Sequence, residues 1–290
     1  IKYSLYSIPE FSKNMIKKSE LIIGIIGAGG IGSNLTSVLY PTLQQGDLIE
    51  RLGDIRIRIY DSDIVEKSNL PHQNFTVSDV GALKVISLCN RLWSNTDKSF
   101  TDGPNIILDP SPWDIRVKSD LDECDLVVVA VDSHQARKVV HENCESWLDL
   151  RCLGDGYIAI DNTVDTSVVS QLTPNQESQS CQFEGAIESG NIQFGYMSAA
   201  AHGAQWVIQS LRIISGEDNA QRPLPQISNI TFGTAARLEQ GITDSNNEIL
   251  DSSVSPHIHS QLEIDKMVKS GNHDSMVIKE TLAAFAVKKD

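Results

Sequence analysis

Residues 21–35 of this chain read LIIGIIGAGGIGSNL, and this stretch decides the fold. Its first six residues are almost wholly apolar and do not alternate, which predicts a strand buried on both faces. Gly27, Gly29, Gly30 and Gly32 follow, and an apolar-periodic segment comes next. A strand, a glycine-rich turn and a helix in this order let backbone amides approach a phosphate at the helix N-terminus. The stretch therefore predicts the phosphate-binding part of a nucleotide site.

A second strand and a long polar loop continue this unit. Arg56–Tyr60 alternates between polar and apolar residues and ends at Asp61, and Asp63 lies two positions further on. An acidic residue at the end of the second strand binds a ribose hydroxyl in many nucleotide sites. Taken alone, these residues fit either a dinucleotide or an ATP molecule that is attacked at its α-phosphate.

Composition and charge exclude several other classes of protein. The chain has 290 residues, 40% of them hydrophobic, and a net charge of −14. Clustered Lys and Arg are needed to neutralise a nucleic acid, so we expect no binding to nucleic acid or to an anionic membrane. No apolar run reaches the ~18–20 residues of a membrane helix, and no signal peptide is evident. The five cysteines include no CxxC pair, which favours free thiols and a cytoplasmic location.

The order of the predicted elements indicates an α/β fold. Up to residue 150 we expect strands at 21–26, 56–60, 105–108 and 124–131 and helices at 34–45, 79–93 and 133–150. This alternation predicts a Rossmann-like, doubly wound, mostly parallel sheet with helices on both faces. Later elements predicted are antiparallel strands at 157–160 and 164–172, a long helix at 196–214, a strand at 227–232 and a helix at 276–287.

The polar loop and a distant acidic residue separate the two ligand classes. Residues 61–84 contain the pattern Asp-x-Asp-x-Val-Glu-x-Ser-Asn-Leu-x-x-Gln and then Asp-x-Gly-x-x-Lys, which ends at Lys84. Asp132 closes the strand CDLVVVAV, and Cys181 stands in the pattern Ser-Cys-x-x-x-Gly. Together these residues resemble the ThiF/MoeB/ubiquitin-activating-enzyme (E1-like) superfamily over roughly residues 20–214. A dehydrogenase has no use for this combination.

The resemblance implies an ATP-dependent adenylyltransferase that activates the C-terminal glycine carboxylate of a ubiquitin-like or sulfur-carrier protein. By the resemblance, Asp61 holds the ribose, Lys84 binds phosphate, and Asp132 coordinates a Mg²⁺ ion that bridges the phosphates. Asn69 and Gln73 orient a phosphate or the attacking carboxylate. The residues expected to contact the nucleotide are Gly27, Gly29, Gly30, Gly32, Asp61, Asp63, His72 and Lys84. The residues expected to act in catalysis are Asp132, Lys84, Asn69, Gln73 and Cys181.

The chain departs from the family at several positions. His72 stands where the loop usually carries an arginine that contacts ATP phosphates, and histidine cannot form a guanidinium fork. Residues 1–20 contain no arginine, although family members often lend one from this region to the partner subunit. Many bacterial members bind zinc through two CxxC pairs, and because this chain has none we expect no zinc. Arg137, behind Asp132, is interpreted as a structural salt-bridge partner.

These departures leave alternatives open. The expected partner is a small β-grasp carrier protein, and the expected assembly is a homodimer. Cys181 either forms a thioester, an acyl-disulfide or a persulfide, or is dispensable, because members of the family differ on this point. One alternative is a non-catalytic nucleotide-binding scaffold or sensor with the same fold, and another is adenylation of a substrate that is not ubiquitin-like. Residues 1–215 are expected to form the adenylation domain, and residues 216–290 a partly mobile extension of it.

Overall fold

The protein is built around one mixed sheet. A computed structural model describes residues 20–94, 105–121, 123–173, 181–183, 185–231 and 234–237. The strands are β1 (Glu20–Ile26), β2 (Asp54–Tyr60), β3 (Ile106–Ser111), β4 (Leu126–Val129), β5 (Trp147–Leu153), β6 (Gly156–Asp161), β7 (Gln226–Asn229) and β8 (Thr234–Arg237). They form an eight-stranded sheet in the order β3-β2-β1-β4-β5-β6-β7-β8. The strands from β3 to β5 are parallel and those from β5 to β8 antiparallel, which confirms the predicted fold class.

Helices cover both faces of this sheet. Those in the described part of the chain are α1 (Gly30–Leu43), α2 (Leu48–Leu52), α3 (Lys84–Ser94), α4 (His134–Asn143), α5 (Thr166–Leu172), α6 (Ala186–Ser189) and α7 (Gly195–Ile214). On one face, Ile23 of β1 belongs to the same buried cluster as Leu35 of α1 and Trp206 of α7. On the other face, Val129 of β4 clusters with Val140 of α4. Burial of the parallel strands on both faces explains why their sequences do not alternate.

The chain reverses its direction across the sheet at β1. From β1 it runs to β2 and β3 on one side, and it then crosses back to β4 on the other side. The loops that follow the two central strands diverge at such a switch point and leave a crevice at the carboxyl ends of the strands. Here the crevice opens between the glycine turn after β1 and residues 130–132 after β4. The topology therefore selects the place of the site before any side chain is considered.

The helix predicted over residues 133–150 is wrong in its second half. Ser133 caps α4 by accepting a hydrogen bond from the amide of Ala136, and the helix ends at Asn143. Residues 147–153 then form β5, which pairs with β4 and β6. The sequence WLDLRCL contains Asp149 and Arg151 on a strand whose first half is buried. These charges resemble the polar face of a helix, and only their mutual pairing makes them compatible with a central strand.

The strand predicted over residues 164–172 is also wrong, because this segment forms α5. Its Thr and Val residues favour strands, which misled the prediction. Asp165 caps the start of the helix, because its carboxylate accepts a hydrogen bond of 2.8 Å from the amide of Ser167. Val169 packs into the core on the α4 side of the sheet. Capping and burial therefore outweigh the β-propensity of the segment.

Asp79 does not cap a long helix, contrary to the prediction of a helix over residues 79–93. It ends a short 3₁₀ turn, Val77–Asp79, where its carboxylate accepts a hydrogen bond of 2.7 Å from the amide of Thr76. The α-helix begins only at Lys84. Lys84 therefore lies at the start of α3, next to the loop that follows β2, and not on the flank of a longer helix.

The region after residue 216 contributes to the same sheet. β7 pairs with β6, and β8 pairs with β7. The helix predicted at residues 276–287 and the mobile part expected of the extension lie outside the described residues. In the part of the chain that the structure describes, no helix is both long and apolar enough to cross a membrane.

Candidate active site

A cleft of about 1060 Å³ opens at the carboxyl ends of β1, β2 and β4. The predicted site residues that line it are Gly27, Gly29, Gly30, Asp61, Asp63, Asn69, His72, Gln73, Lys84, Asp132 and Cys181. Gly32 belongs to the glycine turn but does not line the cleft. Small-molecule sites usually measure about 300–1,000 Å³. The cleft is therefore large enough for a nucleotide together with the end of a second molecule.

The glycine turn is closed against the sheet and open toward the cleft. Gly27 has a φ of 100°, and a Cβ at this position would lie 2.7 Å from the carbonyl oxygen of Ala130. A Cβ on Gly32 would lie 1.8 Å from the carbonyl oxygen of Gly27. A Cβ on Gly29, in contrast, would meet no atom within 4 Å. Gly29 is the N-cap of α1 and caps it with no side chain, so the first amides of the helix face an open space that suits an anion.

Asp61 ties the end of β2 to this turn. One of its carboxylate oxygens accepts a hydrogen bond of 2.7 Å from the amide of Ala28, and the other accepts one of 2.9 Å from the amide of Asp63. Burial raises the pKa of Asp61, and the charge of Lys84 and the two amide donors oppose this rise. Each carboxylate oxygen has two lone pairs, so each keeps the capacity to accept one more hydrogen bond. A ribose hydroxyl is a suitable donor for it.

Lys84 and Asp63 form an ion pair at the rim of the cleft. The ammonium group of Lys84 lies 2.8 Å from a carboxylate oxygen of Asp63, and the amide of Lys84 donates to the carbonyl of Asp63 over 2.9 Å. Both contacts join the loop after β2 to the first residue of α3. Asp63, predicted to contact the nucleotide, is thus placed where it holds Lys84 in the cleft.

Asn69 and Gln73 differ in how much of their side chains is free. The side-chain oxygen of Asn69 accepts a hydrogen bond of 2.8 Å from the amide of Glu66, so it stabilises its own loop. The carbonyl of Asn69 also accepts the amide of Gln73 over 2.9 Å. The side-chain oxygen of Gln73 is buried and has no hydrogen-bond partner among the described residues. Within the described chain the Gln73 oxygen is thus wholly unsatisfied, whereas the Asn69 oxygen already accepts one bond from its own loop.

Asp132 supplies the negative charge on the opposite wall of the cleft. It follows β4, it is exposed, and its neighbour Ser133 begins α4. His134, the first residue of α4, also lines the cleft, and its Nδ1 is buried with no hydrogen-bond partner in the described chain. An exposed carboxylate beside a phosphate-sized opening is a hard oxygen ligand of the kind that Mg²⁺ prefers.

Arg137 is a structural salt-bridge partner, as predicted. It pairs with Asp149, which is fully buried, and it donates to the carbonyl of Val131. Arg151 donates to the same carboxylate over 2.6 Å, and His141 lies 3.1 Å from it. This cluster joins α4 to β5 at the wall of the cleft, which Arg137 and Arg151 both line, and the bond from Arg137 to Val131 holds the loop that carries Asp132 in place.

Cys181 lies against the start of α1. A Cβ on Gly30 would lie 3.3 Å from the sulfur of Cys181 and 3.4 Å from Cδ2 of His72. The pKa of Cys181 is lowered, because Cys152 donates a hydrogen bond to the thiolate and His72 also stabilises it, and these effects exceed the cost of burial. The pKa of Cys152 is raised correspondingly. Cys181 therefore carries the more acidic thiol of an adjacent pair.

Several cleft residues were not predicted from the sequence. Cys152, Arg151 and His134 all line the cleft. The pattern Asp-x-Arg-Cys at residues 149–152 marks the end of a strand, but it could be read as a site signal only after β5 had been recognised. Among the described residues, no group of three or more His, Cys, Asp or Glu side chains is arranged to hold a metal ion.

The arrangement suits electrostatic positioning of an anionic nucleotide followed by attack of a thiol. The α1 amides and Lys84 offer positive charge, and Asp61 and Asp132 offer acceptor oxygens on either side of it. Phosphoryl and nucleotidyl transfer need such preorganised charges more than covalent catalysis. Cys181, which also lines the cleft, adds a nucleophile.

Comparisons with known proteins bear on the fold and on the family of the chain. The ThiF family profile matches residues 5–239, and no curated protein matches the chain significantly. Among similar solved structures, E. coli MccB with MccA-N7isoASN has a TM-score of 0.52 at 17% identity, over 79% of this chain and 67% of that one. E. coli MccB with ATP has a TM-score of 0.50 at 16% identity, over 79% and 67% of the two chains. PaaA has a TM-score of 0.50 at 15% identity, over 78% and 64%.

Identities this low show a shared fold. The family profile, in contrast, covers most of the chain and extends past residue 216 into the last strands of the sheet. The glycine turn, the acidic loop, Lys84 and Asp132 all fall within the matched region and meet in one cleft. On this sequence match and this site, the chain belongs to the ThiF family.

Proposed function

We propose that this chain is an E1-like adenylyltransferase that binds ATP in the cleft and adenylates the C-terminal carboxylate of a small protein. The observation that carries this proposal is the convergence of three anchors in one cleft. The start of α1 is open at Gly29, Lys84 presents an ammonium group, and Asp132 presents a carboxylate. The ThiF match and the crystal structure of MccB with ATP support the same proposal.

The reaction follows from the charges in the cleft. A carboxylate is a poor electrophile, so it must first gain a leaving group. A carboxylate oxygen of the substrate attacks the α-phosphorus of ATP, the bond to the bridging oxygen of the β-phosphate breaks, and pyrophosphate leaves. The α1 amides and Lys84 stabilise the negative charge that spreads over the phosphates. Asp61 holds the ribose, and the free oxygen of Gln73 orients a polar group of the substrate.

A magnesium ion fits the donor chemistry of this wall of the cleft. Asp132 is an exposed carboxylate, and Mg²⁺ in nucleotide sites is usually held by one or two carboxylates, phosphate oxygens and water. Mg²⁺ held by Asp132 would withdraw charge from the phosphates. Asp132 itself would fix the position of the triphosphate relative to Lys84.

The partner in this proposal is a ubiquitin-like or sulfur-carrier protein of the β-grasp type, and the assembly is a homodimer. MccB has been crystallised with ATP or AMPCPP and with selenomethionine-labelled MccA, which supports a polypeptide as the second ligand here. The volume of the cleft leaves room for an extended chain end beside the nucleotide. Size-exclusion chromatography with light scattering tests the dimer.

Exchange of labelled pyrophosphate into ATP tests the adenylation. The purified protein is incubated with ATP, Mg²⁺, labelled pyrophosphate and a candidate carrier that ends in Gly-Gly. We expect exchange only when that carrier is present, and no exchange with a carrier that lacks its last residue. If exchange occurs with a different carboxylic acid and not with the carrier, the substrate of the adenylation is that acid and not a ubiquitin-like protein.

The alternative of a nucleotide-binding scaffold has its own signature. His72 replaces an expected arginine, and the guanidinium groups of Arg137 and Arg151 are both engaged by Asp149. If ATP binds tightly and neither exchange nor AMP formation follows with any carrier or peptide, the chain is a nucleotide-binding scaffold and not an adenylyltransferase.

A further inference from the structure

His72 occupies a buried position against the glycine turn. Its side chain is 6% exposed, and its Nδ1 has no hydrogen-bond partner in the described chain. The other ring nitrogen lies 3.5 Å from the side-chain nitrogen of Gln73, which is a marginal contact. A buried ring nitrogen with no partner is destabilising, because it has lost its hydrogen bonds to water. Such a position invites a function for the imidazole.

The ring does not stand alone in the cleft. Cδ2 of His72 and the sulfur of Cys181 both border the same face of Gly30, 3.4 and 3.3 Å from the position of a Cβ. Tyr196 packs edge-on against the His72 ring with 6.1 Å between ring centres. Cys152 interacts with Cys181 from β5. Among the described residues, the groups that face the Cys181 thiol are therefore His72, Cys152 and Tyr196, with the Arg137 charge behind Cys152.

We propose that His72 is the base that takes the proton of Cys181. In this proposal the residue at this loop position forms a Cys–His pair and does not serve as a phosphate contact. The inference rests on the proposed function, since it assigns the step that follows adenylation. An arginine here could neutralise phosphate but could not accept a proton. Histidine is the side chain that most readily exchanges a proton near neutral pH.

The thiol proton of Cys181 passes to a ring nitrogen of His72, and the sulfur attacks the carbonyl carbon of the acyl-adenylate. A carbon–sulfur bond forms, the bond from that carbon to the phosphate oxygen breaks, and AMP leaves as an anion. The carrier is then held as a thioester on Cys181. His72 returns its proton to water, or to the sulfur of Cys181 when a second nucleophile later releases the carrier.

Cys152 assists this pair from the neighbouring strand. Its thiol hydrogen-bonds to the Cys181 sulfur, which lowers the pKa of Cys181 and raises that of Cys152. Cys181 is therefore the cysteine that ionises and acts as the nucleophile. Cys152 stays protonated and donates a hydrogen bond to it. An activated cysteine of this kind is recognised by a neighbouring base and a lowered pKa.

Alkylation of the free enzyme tests the pair without any nucleotide or carrier. The protein, kept reduced, is treated with limiting iodoacetamide between pH 5.5 and 9.5, and the modified cysteines are located by tandem mass spectrometry. We expect Cys181 to react fastest, and His72→Gln and His72→Asn each to slow it about tenfold at pH 6.5, with rates converging at high pH. Cys144, whose pKa burial raises to about 11, serves as the internal control. Its rate of alkylation should be the same in the wild type and in the His72 variants.

An unchanged pH profile of Cys181 in both folded His72 variants would overturn the base assignment. The two variants differ in length, so one of them remains informative if the other does not fold. This readout needs no adenylation, so it is independent of the pyrophosphate exchange that tests the proposed function. If exchange occurs with a carrier but no thiol-sensitive adduct ever forms at Cys181, the acyl-transfer step is wrong.

Discussion

The ammonium group of Lys84 lies 2.8 Å from a carboxylate oxygen of Asp63, yet the Lys84 side chain is 8% exposed and that of Asp63 is 67% exposed. The pair therefore has a buried cation and a solvated anion. Water screens the carboxylate more than it screens the ammonium group. A phosphate that enters the cleft can take over the ammonium group while Asp63 remains hydrated, so this ion pair holds a phosphate-binding charge in place before the ligand arrives.

Replacing Lys84 with methionine should therefore weaken nucleotide binding. Hydrogen bonds to charged groups contribute about 1.5–3 kcal/mol, which corresponds to roughly a 10- to 100-fold loss of ATP affinity. Isothermal titration with ATP measures it. Lys67→Met is the matched control, because Lys67 is exposed on the same loop and does not line the cleft. Equal losses in the two variants would show a general charge effect and would remove Lys84 from the site.

The glycine turn offers a pair of substitutions with opposite effects. Gly29→Ala places a methyl group in the open part of the cleft, at a φ of −77° that alanine adopts readily. We expect an unchanged melting temperature and a loss of ATP affinity of at least about tenfold. Gly32→Ala drives a methyl group into the carbonyl of Gly27, and overpacking of this kind costs about 1–3 kcal/mol or more.

Differential scanning fluorimetry and ATP titration separate the two glycine variants. A folded Gly29→Ala protein with wild-type affinity would mean that no phosphate approaches the start of α1. A Gly32→Ala protein as stable as the wild type would contradict the close packing of the turn.

Asp132→Asn should abolish activity without unfolding the protein. The side chain is exposed and lies outside both hydrophobic core clusters, so the melting temperature of the variant should stay within about 1 °C of that of the wild type. Pyrophosphate exchange at saturating Mg²⁺ should fall at least about 100-fold, because the charge that positions the metal is gone. Glu142→Gln, an exposed acid on the outer part of α4, is the control. Full exchange by Asp132→Asn would exclude this residue as the metal ligand.

Asp149 should be essential for stability. It is fully buried and pairs with Arg137, Arg151 and His141, so Asp149→Ala leaves buried cations without a partner. Loss of one partner of such a cluster costs about 3–5 kcal/mol. Urea denaturation measures this loss. Glu142→Ala breaks only the exposed pair with Lys138 at 3.7 Å and should change the free energy of unfolding by less than about 0.5 kcal/mol.

His202 should make the stability dependent on pH. It lies in α7 and is 8% exposed, and burial lowers its pKa to about 4, with a smaller opposing effect of Asp161. Below the ordinary pKa of about 6.5 the unfolded chain binds a proton that the folded chain does not. Stability is thus lost as the pH falls from about 6.5 toward 4, by roughly 1 kcal/mol at pH 5.5.

Urea denaturation of the wild type and of His202→Gln at pH 7.5 and 5.5 isolates this effect. The wild type should lose about 1 kcal/mol more than the variant between the two pH values, since the variant has no imidazole to protonate. Equal losses would show that His202 binds its proton equally well in both states.

Much of the fold could be predicted because it depends on local patterns. The unbroken apolar run of β1, the glycine turn and the alternation at β2 predict a strand–turn–helix–strand unit, and the structure confirms it. The predictions over residues 133–150 and 164–172 failed where local preference and tertiary environment disagree. β5 carries charges that are stable only because Asp149 meets Arg137 and Arg151, and α5 is rich in residues that favour strands.

For the candidate site, the motif spacing predicted many of the residues that line the cleft, because the glycine turn, the loop over residues 61–84 and Asp132 all follow the ends of neighbouring strands, but it missed His134, Arg151 and Cys152. The environment of each side chain was not accessible in this way. That Asp63 holds Lys84, and that Asn69 stabilises its own loop, depend on hydrogen bonds of 2.8 Å that no pattern encodes.

Residues 21–84, read as a string, are enough to predict a nucleotide site at the end of β1, since strand, turn and helix are local structures. The meeting of His72, Cys152 and Cys181 is different in kind. These residues lie in three distant parts of the chain, and they become neighbours because the carbonyl of Cys181 accepts the amide of Gly154, just after β5, over 2.9 Å, and because Cys181, His72 and the start of α7 all meet at Gly30. Burial, a neighbouring thiol and an imidazole then change the acidity of one sulfur, and these are effects of through-space contact that sequence distance conceals.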